Sequence, residues 1–172
     1  VYRAGLGILA TPHAFAAAAA ELPKPNAVKW QGAAAEAHAD YLRWSETKPI
    51  RTAGEVQMAE VMAHLVAVMP KDTVYCNGAG NYATWIHRFW PFRSFASQLA
   101  PTSGSMGYGV PAAVAAKALA PHREIMAFAG DGCFMMNGQE FATAIQYDLP
   151  IIVVVVDNGM YGTIRMHQEH EY

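Results

Sequence analysis

An α/β fold, a parallel sheet flanked by helices, is what this sequence predicts, and three observations predict it. Ile151 to Val156 (IIVVVV) is an uninterrupted β-branched run of the sort found in strands covered on both faces. Glu124 to Ala129 (EIMAFA) is a second short apolar run that reads as a buried strand. Between them, Asn137 to Tyr147 carries Phe141, Ala144 and Ile145 at helical spacing, which completes a strand-helix-strand unit. Right-handed crossovers make such strands parallel, so their carboxyl ends open on one edge of the sheet, where ligands of open α/β sheets bind.

From the N-terminus, Leu6 to Ala10 is expected to form a strand and Pro12 to Leu22 a helix, with Ala16 to Ala20 a helix-prone run rather than a targeting signal. Pro23-Lys24-Pro25 breaks that helix. A second helix is expected near Val28 to Glu46, with Trp30, Ala37, Tyr41 and Trp44, and Lys48-Pro49 ends it. Thr52-Ala53-Gly54-Glu55 has the pattern of a capping box. It introduces a helix whose Met58, Met62, Leu65, Val66 and Met69 share one face, and these methionines are expected in the core rather than as a metal-binding stripe. Thr73 to Cys76 then reads as a strand entering a glycine loop at Gly78. A Tyr82 to Trp90 helix, a strand around Ser94 to Gln98 and a Tyr108 to Ala120 helix complete the alternation, and Pro111 sits in the first turn of the last helix, where its missing N–H costs little. Trp85, Trp90 and Phe92 are expected to be core or interface aromatics.

The two strand exits hold the chemistry. Gly130-Asp131-Gly132 closes one apolar run and Asp157-Asn158-Gly159-Met160 closes the next. A carboxylate and a carboxamide at neighbouring strand ends suit a Mg²⁺ ion carrying a diphosphate, because Mg²⁺ prefers hard oxygen ligands and shares its shell with phosphate oxygens and water. Gly130 and Gly132 are expected to let the backbone turn sharply and to let amides approach an anion. The start of the following helix, which Gln139 and Glu140 would open, adds donors.

Gly130-Asp131-Gly132, the intervening residues 133–156, and then a pair ending in Asn158 resemble the signature of thiamine diphosphate enzymes, in particular the diphosphate-binding domain of the acetolactate synthase-like group. Gly104-Ser105-Met106-Gly107-Tyr108-Gly109-Val110-Pro111-Ala112-Ala113 and Gly159-Met160-Tyr161-Gly162-Thr163-Ile164-Arg165-Met166-His167-Gln168-Glu169 are similar to blocks of that group in order and spacing, so the resemblance runs from about Arg51 to the last residue. The resemblance implies thiamine diphosphate and Mg²⁺ as cofactors. Asp131, Asn158 and the carbonyl of Met160 would hold the metal, and the amides of Gly132 and Cys133 would meet the diphosphate. Gly130, Tyr161, Gly162 and Thr163 belong to the same cofactor-binding blocks. Met106 matches the apolar residue that props the cofactor in its bent shape, and the Gly104 carbonyl and Met106 amide, with Ser105 between them, match the groups on the aminopyrimidine edge. Gly80, Asn81 and Tyr82 fall in the loop that reaches the other side of the diphosphate. The implied reaction is decarboxylation or carboligation of a 2-oxo acid, with the cofactor carrying the chemistry and the protein supplying position and electrostatics.

The chain departs from that group at two positions. Asp157 replaces the first residue of the usual Asn-Asn pair, a position that does not ligate the metal. His167 stands where biosynthetic acetohydroxy acid synthases generally place a Trp that selects the second oxo acid, which gives His167 an expected place in the substrate pocket and argues against the strict biosynthetic assignment. The glutamate that activates the cofactor in this family lies on a pyrimidine-binding domain of a neighbouring subunit, and no segment here resembles that domain. The expected organisation is therefore a remnant of a central domain at 1–26, a connecting helix and linker at 27–50, and a thiamine diphosphate/Mg-binding domain at 51–172, itself incomplete at its C-terminus. The parent would be a homo-oligomer, at least a dimer, and this piece alone is expected to be inactive.

An alternative reading begins at Gly78-Ala79-Gly80-Asn81-Tyr82-Ala83, which fits GxGxxA between a strand and a helix and would place a dinucleotide pyrophosphate there. That fingerprint expects an acidic residue about 20 positions later, and none occurs from Thr73 through Arg123, although an NADP variant could use Arg93. A third reading is a non-catalytic domain that keeps the fold without the cofactor; loss of the metal ligands would favour it, and Asp131 and Asn158 are both present.

Composition narrows the field further. With 172 residues and 53% apolar composition the chain suits one domain plus an appendage with a real core. A net charge of −2 carries no nucleic-acid footprint. Between Asp72 and Glu124 there is no acidic residue while Arg88, Arg93, Lys117 and Arg123 occur, which would tolerate an anionic ligand nearby, although solvated surface arginines give the same count. Cys76 and Cys133 are too few for a disulfide framework or a Cys-based zinc site, and a reducing, cytoplasmic setting is expected. No apolar run approaches 18 residues, so no membrane span is expected. Glu169, His170 and Glu171 read as a solvated polar stretch rather than a metal cluster, and Cys133 as a small packing residue rather than a nucleophile.

Overall fold

The computed structural model describes residues 2–46 and 50–172, and its contacts divide the chain into two units, Val1–Tyr41 and Leu42–Tyr172. The expected end of the second helix at Lys48-Pro49 lies outside the described residues.

In the first unit, α1 (Pro12–Ala20) starts at Thr11, whose hydroxyl accepts from the Ala14 amide at 3.2 Å, with Pro12 in the first turn. The strand expected at Leu6–Ala10 does not form. Leu6, Ile8 and Leu9 are exposed, and an apolar run with no ladder partner and no surface to bury against has nothing to hold it extended. Helix α2 (Ala33–Ser45) begins after the turns around Val28–Trp30, later than its aromatic spacing predicts, and it runs past Tyr41 into the second unit.

The second unit is a four-stranded, wholly parallel sheet in the order β2-β1-β3-β4, flanked by helices, as the sequence predicts. Its elements are α3 (Met58–Val68), β1 (Val74–Asn77), α4 (Ala83–Phe89), β2 (Gln98–Leu99), α5 (Gly109–Leu119), β3 (Ile125–Gly130), α6 (Asp131–Asn137), α7 (Glu140–Gln146), β4 (Ile152–Val156) and α8 (Gly162–Glu171). Side chains alternate along β1 and β3 and separate two cores. Tyr75, Met126 and Phe128 meet Met62, Ile86, Phe89 and Trp90 on the α3–α4 side. Val74, Cys76, Ile125 and Ala127 meet Val110, Ala113 and Ala116 of α5 on the other. Small residues on α5 let that helix lie close to the strands.

Several local expectations need correction. No capping box forms at Thr52. The Gln57 side chain folds back instead, accepting from the Thr52 amide at 2.9 Å and donating to the Gly54 carbonyl at 2.9 Å, and α3 starts one residue after it. A glutamine with two hydrogen-bonding ends satisfies this turn more completely than Glu55 could, since a carboxylate only accepts. The strand around Ser94 shrinks to Gln98–Leu99, because Ser94–Ala96 form a turn and Ala96 takes a positive φ of 50°. Phe92 is exposed, while Trp90 is core and Trp85 stacks half-buried on Phe89. The helix expected over Asn137–Tyr147 forms as α7, and a further helix, α6, precedes it. Asp131 itself opens α6, and only α7 starts at Glu140. Phe141 and Ile145 of α7 are exposed, as are Ile152 and Val155 of β4, while Ile151 and Val153 pack against the α5-side core and Val154 and Val156 against the other, so the β-branched run is only partly covered on each of its faces.

Cys76 lies fully buried on β1, and burial pushes its thiol from 9.0 up to about 12. Between those values the unfolded chain has released the thiol proton while the folded chain keeps it, so folding stability falls as pH rises. A Cys76→Ala variant should show a shallower alkaline loss of stability across that window than the parent chain, by the equivalent of one proton, in urea unfolding at stepped pH.

Candidate functional site

Strands β1, β3 and β4 run in one direction, so their exits gather at one edge of the sheet. Register pairs Asn77 with Phe128 and Gly130 with Val156, which places the Asp131 turn directly beside the Asp157–Met160 turn. Asp131 is exposed there, and the amides of Gly132 and Cys133 fall in the first turn of α6, where a helix offers them no internal partner. The second turn is held by its own side chains. Asp157 Oδ1 accepts from the Gly159 amide at 2.7 Å and Asn158 Oδ1 from the Met160 amide at 3.1 Å, while the Met160 carbonyl accepts from the Gly162 amide at 2.8 Å. Each of these oxygens keeps a second lone pair.

The sharp turn expected from Gly130 and Gly132 has another cause. Neither has a positive φ, and the space beside Gly130 is filled by the Tyr82 ring, which a Cβ there would meet at 3.0 Å. Gly132 faces the Met106 side chain instead, whose Cε lies 3.6 Å from where a Cβ would stand. Met106 therefore does come to the GDG turn. Its loop separates two clefts, one of about 530 Å³ that Met106, Tyr108 and Pro111 help to line and one of about 330 Å³ between Gly78–Asn81 and Pro101–Gly104. Ser105 lies on the first and Gly104 on the second.

Gly80 and Asn81 are exposed beside the second cleft, but Tyr82 turns inward and is buried. Its hydroxyl oxygen accepts from the Gly78 amide at 2.9 Å and lies 3.4 Å from Cys133 Sγ. The same sulfur accepts from the Gly107 amide at 3.1 Å, and Asn137 Nδ2 donates to the Gly107 carbonyl at 3.0 Å. Burial first, then the bond to Cys133, pushes the Tyr82 phenol above its ordinary range. Two glycines are obligatory in this packing. A Cβ at Gly78 would run into Cys133 Sγ, and one at Gly107, whose φ is +81°, would stand 2.7 Å from Asn137 Nδ2. The contacts made by Cys133 and Asn137 are not visible in the sequence, because their partners lie 26 to 55 positions away.

On the far side, α8 carries Tyr161 as its N-cap and Gly162 and Thr163 in its first turn, with Tyr161 exposed and Gly162 packed against Asn158. His167 is exposed on this helix, and Arg165 pairs with Glu169 at 2.6 Å. Asn81 Nδ2 reaches Met166 Sδ at 4.0 Å, so the exit of β1 approaches the helix after β4 across the GDG turn. Among the described residues no cluster of three His, Cys, Asp or Glu side chains could hold a metal, and Cys76 and Cys133 are free and buried.

The cations Arg88, Arg93, Lys117 and Arg123 donate to backbone carbonyls rather than point at an anion site. Arg93 donates to the carbonyls of Val66, Met69 and Pro70 at 3.0, 3.2 and 3.3 Å, closing the C-terminal end of α3. Arg123 donates to Asp72 and Ala96 carbonyls, Lys117 to the Arg123 carbonyl, and Arg88 to the Trp44 carbonyl while stacking on the Trp44 ring. With Arg93 committed to α3 and the Gly78 amide committed to Tyr82, the dinucleotide reading loses both its phosphate partner and its first loop donor.

Residues 78–172 match the family described as thiamine pyrophosphate enzyme, C-terminal TPP binding domain. The chain belongs to this family. Within it, the acetolactate synthase-like group is the one it resembles. It is 42% identical over 98 residues to the acetolactate synthase large subunit of Corynebacterium glutamicum, covering 56% of this chain and 16% of that protein. It is 35% identical over 103 residues to the acetolactate synthase large subunit of Lactococcus lactis subsp. lactis, covering 59% of this chain and 18% of that protein. Among solved structures, the thiamine diphosphate-dependent 4-hydroxybenzoylformate decarboxylase of Rhodococcus jostii RHA1 superposes with a TM-score of 0.65 at 26% identity, over 72% of this chain and 23% of that one. The chain thus spans about a fifth of the length of the relatives it matches.

Gly78→Ala should destabilise this thiamine pyrophosphate-binding domain by about 1–3 kcal/mol, the usual cost of overpacking. Adding Cys133→Ala should recover part of that loss, since it removes the atom the new methyl strikes; equal unfolding midpoints for the single and double variants would count against the contact.

Proposed function

We propose that this chain supplies the diphosphate end of a thiamine diphosphate site in a longer enzyme that decarboxylates or carboligates a 2-oxo acid. The observation that carries the reading is the juxtaposition of Asp131 with residues 157–160 at the exits of two paired parallel strands. The donors there are all hard oxygens, a carboxylate, a carboxamide and a backbone carbonyl, which is the set Mg²⁺ takes. Asp131, Asn158 Oδ1 and the Met160 carbonyl would hold the metal, and the turn bonds at Asn158 and Met160 would orient two of those oxygens beforehand. The Gly132 and Cys133 amides would meet the diphosphate from one side, with Gly80 and Asn81 on the other and Tyr82 holding their loop.

Met106 would support the bound cofactor from beneath, with the Gly104 carbonyl and Met106 amide on its pyrimidine edge. Tyr161, Gly162 and Thr163 would line the diphosphate next to Asn158, and His167 on α8 would border the substrate. Thiamine diphosphate, when bound, supplies a nucleophilic carbon and accepts electrons from the departing carboxylate. The protein's part is to place that carbon, keep water away and leave the apolar wall around Met106 next to a carboxylate that loses charge on reaction.

The parent enzyme would be a homo-oligomer, at least a dimer, in which a neighbouring subunit's pyrimidine-binding domain completes the site, so this chain alone would not turn over substrate. Residues 1–26 would be the tail of a preceding domain, 27–50 the connection and 51–172 the cofactor domain. The apolar residues exposed on α7 and β4 are faces that other parts of such a longer enzyme would cover.

Calorimetric titration of the chain with thiamine diphosphate and Mg²⁺ tests the reading, with NADP as the comparison. Asp131→Ala should abolish the Mg²⁺-dependent heat while changing stability by no more than about 1 kcal/mol, because the carboxylate is exposed at a helix start. Unchanged affinity in that variant, or binding of NADP in place of thiamine diphosphate, would refute the assigned site.

A further inference from the structure

Helix α6 holds Gly107 by both of its backbone groups. Cys133 and Asn137 are one turn apart on that helix and so share a face, Cys133 Sγ accepting the Gly107 N–H at 3.1 Å and Asn137 Nδ2 donating to the Gly107 carbonyl at 3.0 Å. Gly107 adjoins Met106, the residue whose side chain reaches over Gly132. The sulfur is in turn fixed by Tyr82. The phenol oxygen accepts the Gly78 N–H at 2.9 Å and lies 3.4 Å from Cys133 Sγ, where hydroxyl and thiol can hydrogen-bond with either as the donor. Three loops therefore meet at one buried sulfur: the exit of β1 through Tyr82, the exit of β3 through Cys133 itself, and the loop before α5 through Gly107.

We propose that Tyr82 and Cys133 are positioning residues, whose hydroxyl–thiol chain sets the 104–108 loop, and Met106 with it, at a fixed distance from the Gly130-Asp131-Gly132 turn. The inference rests on the thiamine diphosphate reading above and adds to it a cause for the spacing between the ring end and the diphosphate end of the site. Cys133 is 3% exposed and Tyr82 8%, so their side chains act through the backbone they hold and not by touching a ligand. In such a place a lost partner leaves a buried amide unsatisfied, which is costlier than the bond itself is stabilising.

The test separates the two ends of the cofactor. Cys133→Ala, Cys133→Ser and Tyr82→Phe are compared with the parent chain in two titrations, one with Mg²⁺ and thiamine diphosphate and one with Mg²⁺ and inorganic pyrophosphate, alongside amide exchange at Gly107 followed by NMR. Removing the acceptor in Cys133→Ala should weaken thiamine diphosphate by about tenfold, the worth of one buried hydrogen bond. Pyrophosphate affinity should stay within about twofold, since the diphosphate end meets backbone amides that the substitution leaves in place. Cys133→Ser should restore most of the difference, and Tyr82→Phe should speed Gly107 exchange although it does not touch Gly107. Equal losses for both ligands, or Gly107 exchange unchanged in Cys133→Ala, would overturn the proposal. Should the parent chain bind neither ligand, the diphosphate reading for the isolated chain fails on its own, and Gly107 exchange still decides whether the sulfur sets the loop.

Discussion

Every residue of β3 is buried, and a buried backbone has to find its hydrogen bonds inside the protein. That constraint fixes the rest. Strand β3 meets it by pairing along both edges, with β1 on one side and β4 on the other, and the pairing sets all three in one direction. Once they run together, their exits cannot be far apart, so the acidic turn after β3 and the Asp-Asn-Gly-Met turn after β4 are neighbours by necessity. Covering both faces of β3 then requires α3 and α4 on one side and α5 on the other, which brings the loop before α5 over the same edge.

Close approach at that edge is achieved by subtraction of side chains and addition of one sulfur. Gly78 and Gly107 yield the space that Cys133 and Asn137 occupy, and Gly130 yields the space for the Tyr82 ring. Meanwhile the cationic side chains of the region are spent on carbonyls at helix and strand ends, each such charge-assisted bond being worth about 1.5–3 kcal/mol. Apart from Arg165, which pairs with Glu169 on α8, the electrostatic character of the edge therefore comes from backbone amides and exposed oxygens. An edge of that kind suits an anion whose charge is carried with a divalent metal better than a bare phosphate clamped by side chains.

Much of this was legible beforehand. The β-branched run at Ile151–Val156, the short run at Glu124–Ala129 and the methionine face of α3 gave the strands and a core helix because apolar periodicity records which face is buried. The GDG turn and the Asp-Asn-Gly-Met turn were readable as strand exits because glycine, aspartate and asparagine cluster where regular structure stops. Elements that depend on a distant partner were not readable. The expected strand at Leu6–Ala10 had no partner, the capping box at Thr52 lost to a side chain five residues on, and the strand around Ser94 gave way to a turn held by Arg123.

The sequence by itself determined the alternation of strands and helices, the family and the two turns that could hold a metal-bound diphosphate, since these rest on local spacing and on residue chemistry. Only the tertiary structure decided what Tyr82, Cys133 and the four cations do. Tyr82 sits in a loop that invites a ligand, yet its hydroxyl points inward to a sulfur 51 positions away. The cations look like a basic patch, yet their donors close helix and strand ends. A polar group's role is set by whichever partner burial brings within reach, and that partner is fixed by packing of segments far apart in the chain, which no local pattern encodes.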